Sequence, residues 1–254
     1  MEIMIIKNIT KIYDELTAQP MTSLNDISLT INRTDFICIM GASGSGKSTF
    51  INCISTIDTP TKGNVEILNK SILDMSEEEL GNLRNKKIGF IFQDYQLLDY
   101  LTIQENIAFP LTMMGLKFKD ITNKVENQAK MLGIKDVLYK YPHECSGGQK
   151  QRTAIARALI TEPQIIIADE PTGNLDSLNT KEVLIILNDL NSKGKTIIMV
   201  THDPLVASYS SRMLYLQDGM IKEEIWKKDY NNQKDYFDEI VRINSSELES
   251  MIES

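Results

Sequence analysis

Within nine residues, Gly41-Ala42-Ser43-Gly44-Ser45-Gly46-Lys47-Ser48-Thr49 carries three glycines, four hydroxyls and one lysine. The spacing fits G-x-x-x-x-G-K-[ST], a loop that wraps a chain of phosphates. Such a ligand presents dense negative charge and many acceptor oxygens. Glycine reaches backbone conformations closed to residues with a Cβ, so consecutive N–H groups can turn inward around an anion. The helix that follows adds the positive end of its dipole. Lys47 brings a mobile charge for the terminal phosphates, and Ser48 a hydroxyl for Mg²⁺. Phe36 to Met40 form an apolar run of strand length before the loop, and Phe50 to Thr56 read as helix after it. That context separates the motif from a flexible Gly/Ser linker.

A second group of residues can do the matching chemistry. Ile165-Ile166-Ile167-Ala168 reads as a buried strand that delivers Asp169 at its C-terminal end, where open parallel sheets bind ligands. Asp169 suits a magnesium shell. Glu170 points differently and can polarise a water for in-line attack on a phosphorus. Gln93 ends another strand, where a neutral amide can reach the metal or the water. His202 follows strand Thr196 to Val200 and can steady Glu170. A lone Gln or His is more often structural, so these two assignments rest on the whole set. Ser146-Gly147-Gly148-Gln149, after Cys145, opens a helix whose free amides make a second anion site. Two copies arranged head to tail would let each such turn close the other's phosphate loop.

The elements that must position these residues follow from periodicity. Met1 to Thr10 is strand-like, Asp14 to Ser23 a polar excursion, and Ile27 to Ile31 a second strand. Val65 to Leu68 and Ile88 to Phe92 read as further strands. Ser76 with Glu79 is a capping box. From Asp94 to about Glu162 the signals are mainly helical: a capping box at Thr102 and Glu105, a helix from Asp120 to Leu132, and one from Ser146 to Ile160. Strand Ile165 to Asp169, a helix from about Ser177 to Gly194, strand Thr196 to Val200 and a short helix after Pro204 restore the alternation. A strand through Met213 to Leu216, the turn Asp218-Gly219 and a strand from Met220 to Trp226 complete it. This order predicts an α/β fold with a mostly parallel sheet covered on both faces. In Lys227 to Ser254, Tyr236, Phe237, Ile240, Val241 and Ile243 have helical spacing. Ser246 with Glu249 offers a cap for a second short helix bearing Leu248, Met251 and Ile252, so the tail reads as an amphipathic hairpin docked on the domain or on a partner.

Composition sets limits. A net charge of −8 argues against a nucleic-acid binder. No apolar run approaches the roughly 18 residues that span a bilayer. The start, Met1-Glu2-Ile3-Met4, lacks the basic opening of a signal peptide, so a cytosolic protein is expected. Cys38, Cys53 and Cys145 are scattered and read as reduced thiols.

In this order, Tyr13, Gly41 to Ser48, Gln93, Ser146-Gly147-Gly148-Gln149, Asp169-Glu170, Asp176 and His202 resemble the ATP-binding subunit of ABC (ATP-binding cassette) transporters over residues 1 to about 226. The resemblance implies a P-loop NTPase cassette, residues 1–226, with a mostly parallel core sheet, a small antiparallel β part and a helical subdomain at about 94–162. Residues 227–254 would be a short helical extension. It implies Tyr13 as the aromatic that stacks on adenine, though as a bare tyrosine it serves equally as core. It implies Gly41 to Thr49 on the phosphates of ATP; Ser48, Gln93 and Asp169 on Mg²⁺; and Glu170 as general base with His202 its partner. Ser146 to Gln149 would cap ATP in the opposite subunit, and Asp176 would sit in the loop linking the two sites. Cys145 stands where the family most often has Leu, which implies similar packing and a sensitivity to oxidation.

Phe92-Gln93-Asp94-Tyr95-Gln96-Leu97-Leu98 and Ala168-Asp169-Glu170-Pro171-Thr172-Gly173-Asn174-Leu175-Asp176 resemble the macrolide- and lipoprotein-exporting group. Within it, Met40 to Lys47, Gly147 to Thr153 and Val200-Thr201-His202-Asp203-Pro204 are most similar to bacitracin-type peptide-antibiotic resistance exporters of Gram-positive bacteria. The resemblance implies an ATPase paired with a second copy of itself on a membrane permease, at the cytoplasmic face of the plasma membrane. Leu97, Leu98, Tyr100 and Leu101 would receive the permease, with core packing the alternative for each. Two rival readings differ in class. One is a regulatory module acting through a permease on a sensor histidine kinase or cell-wall enzyme without net transport. The other is a soluble ATPase of DNA repair or translation, which would usually carry two cassettes or long coiled coils.

Overall fold

The computed structural model describes residues 1–15 and 19–253, with side chains described to residue 246. The strands are β1 (Glu2–Tyr13), β2 (Met21–Asn32), β3 (Phe36–Met40), β4 (Lys62–Ile67), β5 (Lys70–Ser71), β6 (Ile88–Phe92), β7 (Ile165–Asp169), β8 (Thr196–Val200), β9 (Arg212–Gln217) and β10 (Met220–Trp226). The helices are α1 (Lys47–Ile54), α2 (Glu77–Lys87), α3 (Ile103–Met113), α4 (Phe118–Met131), α5 (Gly147–Leu159), α6 (Ser177–Ser192), α7 (Pro204–Ala207) and α8 (Gln233–Glu253).

All five residues of β3 are buried, which requires neighbours on both edges and layers on both faces. β3 pairs in parallel with β8 on one edge and β9 on the other. The sheet order is β10-β9-β3-β8-β7-β6, antiparallel only at β10. Side chains alternate along β3. Phe36, Cys38 and Met40 enter a core shared with α3, α4, α5, α6 and α8. Ile37 and Ile39 enter a second core shared with α1 and the small antiparallel sheet β2-β1-β4-β5. The expected α/β architecture is therefore present, with a mostly parallel sheet, a small antiparallel part and helices inserted between β6 and β7. Register decides where the chemistry lies. Phe92, Asp169, Val200 and Ile39 form one row across β6, β7, β8 and β3. β6, β7 and β8 end at that row and β3 one residue beyond it, so the chain leaves all four strands at the same end of the sheet.

Two expectations need correction. β1 continues to Tyr13, up to the polar excursion, and β2 already begins at Met21, inside it; residues 16–18 lie outside the described residues. Irregular pairing hid this. Asn8 and Asp26 both have positive φ and meet through a 2.9 Å side-chain hydrogen bond, and the register shifts between Ile6 and Ile9. A bulge of this kind breaks the period of two. The tail is one helix, α8, and not a hairpin. No glycine or proline interrupts residues 233–253, and the Ser246 hydroxyl donates back to the Ile243 carbonyl instead of capping a new helix. The side chains of Leu248, Glu249, Met251 and Ile252 lie outside the described residues. Tyr236, Ile240 and Ile243 are buried in the main core beside α7, with the Tyr236 hydroxyl 3.4 Å from Ser210 Oγ. We expect Ile240→Ala to lower unfolding free energy by about 3 kcal/mol in urea titrations. A loss below about 1 kcal/mol would mean that the helix docks only loosely.

Candidate functional site

The phosphate loop leaves β3 at Met40, and two of its glycines, Gly41 and Gly46, are needed sterically. A Cβ on Gly41 would lie 2.0 Å from the Leu216 carbonyl oxygen. Gly46, with φ +103°, precedes α1, and a Cβ there would lie 2.5 Å from the Ser23 carbonyl oxygen. Neighbouring elements hold the loop in place. The Gly219 N–H, in the β9–β10 turn, donates to the Ser45 carbonyl at 3.0 Å, and Ser23 Oγ donates to Thr49 Oγ1 at 2.8 Å. Lys47 Nζ donates to the carbonyls of Gly41 and Ala42 at 2.8 and 2.6 Å. Ser45 Oγ is buried with no hydrogen-bond partner among the described residues, a penalty of about 1–3 kcal/mol that an oxygen-rich ligand could relieve.

Across the cleft, the end of β7 carries the acids. Glu170 adopts φ +48° and its N–H donates to the Val200 carbonyl at 3.0 Å. Its carboxylate lies 2.8 Å from His202 Nδ1, with the glutamate mostly buried and the histidine exposed. Burial, and then the Glu170 charge, raise the Asp169 carboxyl above the ordinary aspartate value, while Lys47 opposes them. The folded pKa lies above the unfolded one, so ionising Asp169 costs stability, and the cost is complete once pH has risen through the folded value. We expect Asp169→Asn to melt above the wild type at pH 7 without metal or nucleotide. An unchanged or lower melting temperature would show that the carboxylate is not destabilised.

A cleft of about 570 Å³ gathers Ser43, Gly44, Gly46, Lys47, Ser48, Thr49, Gln93, Asp169, Glu170 and His202. Ser48, Gln93 and Asp169 all offer oxygen, which suits Mg²⁺, an ion that keeps waters and substrate phosphates in its shell. Gln93 packs over Gly173, where a Cβ would meet its amide at 2.8 Å. Asn174 Nδ2 donates to the Gln93 carbonyl at 3.2 Å and to Asp94 Oδ1 at 3.0 Å. Met21 and Ser23 also line the cleft. Sequence reasoning missed them because the bulge hid the start of β2.

Other candidates lie apart from this cleft. Tyr13 does not line it; the hydroxyl donates to Asp58 Oδ2 at 3.1 Å and Lys11 Nζ sits 5.1 Å from the ring centre. Its antiparallel partner Met21 does line the cleft. Ser146 caps α5, accepting from the Gln149 N–H at 3.3 Å, while Gln149 Oε1 accepts from the Ser146 N–H at 2.9 Å. Gly147 and Gly148 form the first turn of that helix. Asp176 caps α6, and hydrogen bonds from the Asn179 backbone and side chain hold its carboxyl below the ordinary value. None of the residues from Ser146 to Gln149, nor Asp176, reaches the cleft of its own chain.

A groove of about 450 Å³ runs between β6 and α3, lined by Phe90, Phe92, Leu98, Tyr100, Phe109 and Arg157 among others. Leu98 and Tyr100 therefore face the groove, whereas Leu97 packs on the main core and Leu101 does not line the groove. Buried Asn106 fixes this wall: its Oδ1 accepts from the Leu98 N–H at 2.8 Å, and its Nδ2 donates to the carbonyls of Leu98, Leu101 and Thr102.

The family model described as ABC transporter matches residues 24–173. The chain is 46% identical over 220 residues to the bacitracin export ATP-binding protein BceA of Halalkalibacterium halodurans, covering 86% of this chain and 87% of that protein. It is 45% identical over 202 residues to the lipoprotein-releasing system ATP-binding protein LolD of Aquifex aeolicus, covering 80% and 90%. Among solved structures, a dimeric ATP-binding cassette bound to ADP and Pi in a post-hydrolysis state is similar with a TM-score of 0.82 and 38% identity, covering 88% of this chain and 98% of that one. The chain therefore belongs to the ABC transporter family as one of its ATP-hydrolysing cassettes.

Proposed function

We propose that this cassette works as a head-to-tail pair on a membrane permease and powers export or removal of a bacitracin-like peptide antibiotic. The observation that carries the paired arrangement is the position of Ser146. It opens α5 outside the cleft that holds Lys47 and Glu170, so the amides of Gly147 and Gly148 in the first turn suit the nucleotide of a second copy. The peptide-antibiotic substrate rests on the likeness to BceA; the likeness to LolD marks the rival cargo, a lipoprotein.

In this reading the loop amides and Lys47 hold the phosphates of ATP. Ser48, Gln93 and Asp169 hold Mg²⁺, which when bound neutralises charge on the phosphate oxygens. Glu170 takes a proton from a water as its oxygen attacks the γ-phosphorus, the bond to the leaving ADP oxygen breaks, and inorganic phosphate departs. His202 fixes the Glu170 carboxylate through their 2.8 Å contact. Closure and reopening of the pair move the permease, whose cytoplasmic segment would fill the apolar groove beside Leu98, Tyr100 and Phe109. Among the described residues no helix is long and apolar enough to cross a membrane; the cassette would sit on the cytoplasmic face of the plasma membrane.

The test is reconstitution, in vesicles loaded with ATP, with the membrane permease that co-purifies with this chain. Bacitracin-dependent ATP hydrolysis with movement of the peptide is the expected result. Hydrolysis that responds to the peptide without moving it, and that requires a sensor histidine kinase, would replace transport with signalling.

A further inference from the structure

Gln93 is delivered by a turn, Gln93 to Gln96, that two distant side chains grip. Tyr95 and Gln96 both have positive φ, at 60° and 48°, a backbone shape that non-glycine residues rarely keep unaided. Arg157, on α5 and 61 residues beyond Gln96 in sequence, donates to the Gln96 carbonyl, and to the Tyr95 carbonyl at 2.8 Å. Asn174, in the loop between β7 and α6, donates to the Gln93 carbonyl and to Asp94 Oδ1. The turn's own bonds are few: the Tyr95 N–H donates to the Phe92 carbonyl at 3.2 Å and the Gln96 N–H to the Asp94 carbonyl at 2.5 Å. Four donated bonds from outside therefore fix where Gln93 enters the cleft.

We infer that Arg157 and Asn174 are positioning residues that clamp the Gln93 turn and so set the affinity of the site for its magnesium ion. Neither side chain touches the nucleotide cleft. Arg157 instead lines the groove beside Leu98 and Tyr100, so the clamp stands between groove and cleft. Lysine at 157 keeps the charge but loses the planar fork that serves two carbonyls at once. The inference rests on the reading of Gln93 as a residue of the magnesium shell, and the test separates the two.

The purified full chain is assayed for ATP hydrolysis across a magnesium titration, with ATP affinity in excess EDTA as a second readout. Arg157→Lys should raise the magnesium concentration for half-maximal rate about tenfold, the usual scale for supporting residues of a metal site, and leave metal-free ATP affinity unchanged. Gln93→Ala should raise it as well, and the double variant should be no worse than Gln93→Ala alone. Should Arg157→Lys melt before assay, the exposed Asn174→Ala carries the same comparison. If Gln93→Ala shifts the requirement but neither clamp variant does, the clamp is purely structural and the inference falls. It also falls if a clamp variant adds its full effect on top of Gln93→Ala. If Gln93→Ala itself changes nothing, the magnesium role of Gln93 fails, and the clamp's role with it.

Discussion

Glu170→Gln should cut ATP turnover about a thousandfold, within the range that a positioned general base contributes. The substitution keeps shape and keeps a hydrogen-bonding partner for His202, which lies 2.8 Å from the carboxylate. What it removes is the capacity to take the proton of the attacking water. Nucleotide binding through Lys47 and the loop amides should persist, so the variant should accumulate as an ATP-bound dimer. Gel filtration with and without ATP gives the assembly, and single-turnover measurements give the chemistry. Turnover within about tenfold of the wild type would place the base elsewhere, because loss of so little barrier energy is too small for that role.

Lys47→Ala should weaken ATP binding about a hundredfold. The estimate follows from about 3 kcal/mol for removing one partner of a hydrogen-bonded charge pair, at about 1.4 kcal/mol per decade. The ammonium spans the loop by donating to the Gly41 and Ala42 carbonyls at 2.8 and 2.6 Å. In the same loop the Ser45 hydroxyl is buried with no hydrogen-bond partner among the described residues. Calorimetric titration with ATP measures the change directly. Unaltered affinity would reject the loop as the phosphate seat, while a shared fall in melting temperature would assign part of the effect to the loop's own stability.

What could be read from the chain was what local chemistry determines. Ile165 to Asp169 and Thr196 to Val200 are apolar runs bounded by polar residues, and the structure starts and stops β7 and β8 at those residues. The capping boxes at Ser76 and Glu79 and at Thr102 and Glu105 form with both reciprocal bonds. The misses share a cause. The bulge at Asn8 and Asp26 needs its partner strand to exist, so no window of β2 displays it. Ser246 and Glu249 spell a cap, yet a cap needs a preceding break, and α8 supplies none. In the site, the loop, Asp169 and Glu170 were legible because a short motif fixes their geometry. The grip of Arg157 and Asn174 on the Gln93 turn was not, since its bonds join residues 61 to 81 positions apart and depend mostly on carbonyls, which every residue has.

The place of β3 between β8 and β9 has a consequence for synthesis on the ribosome. The strand that launches the phosphate loop is made early, but both of its sheet neighbours are made late, and the Gly219 N–H that pins Ser45 comes later still. Until then a nascent chain carries an apolar strand with two open edges, the kind of surface that recruits chaperones or pairs with other chains. A stalled chain ending before β8 should neither retain nucleotide nor resist protease at Phe36 to Met40, and both properties should arrive together once the β9–β10 turn clears the exit tunnel.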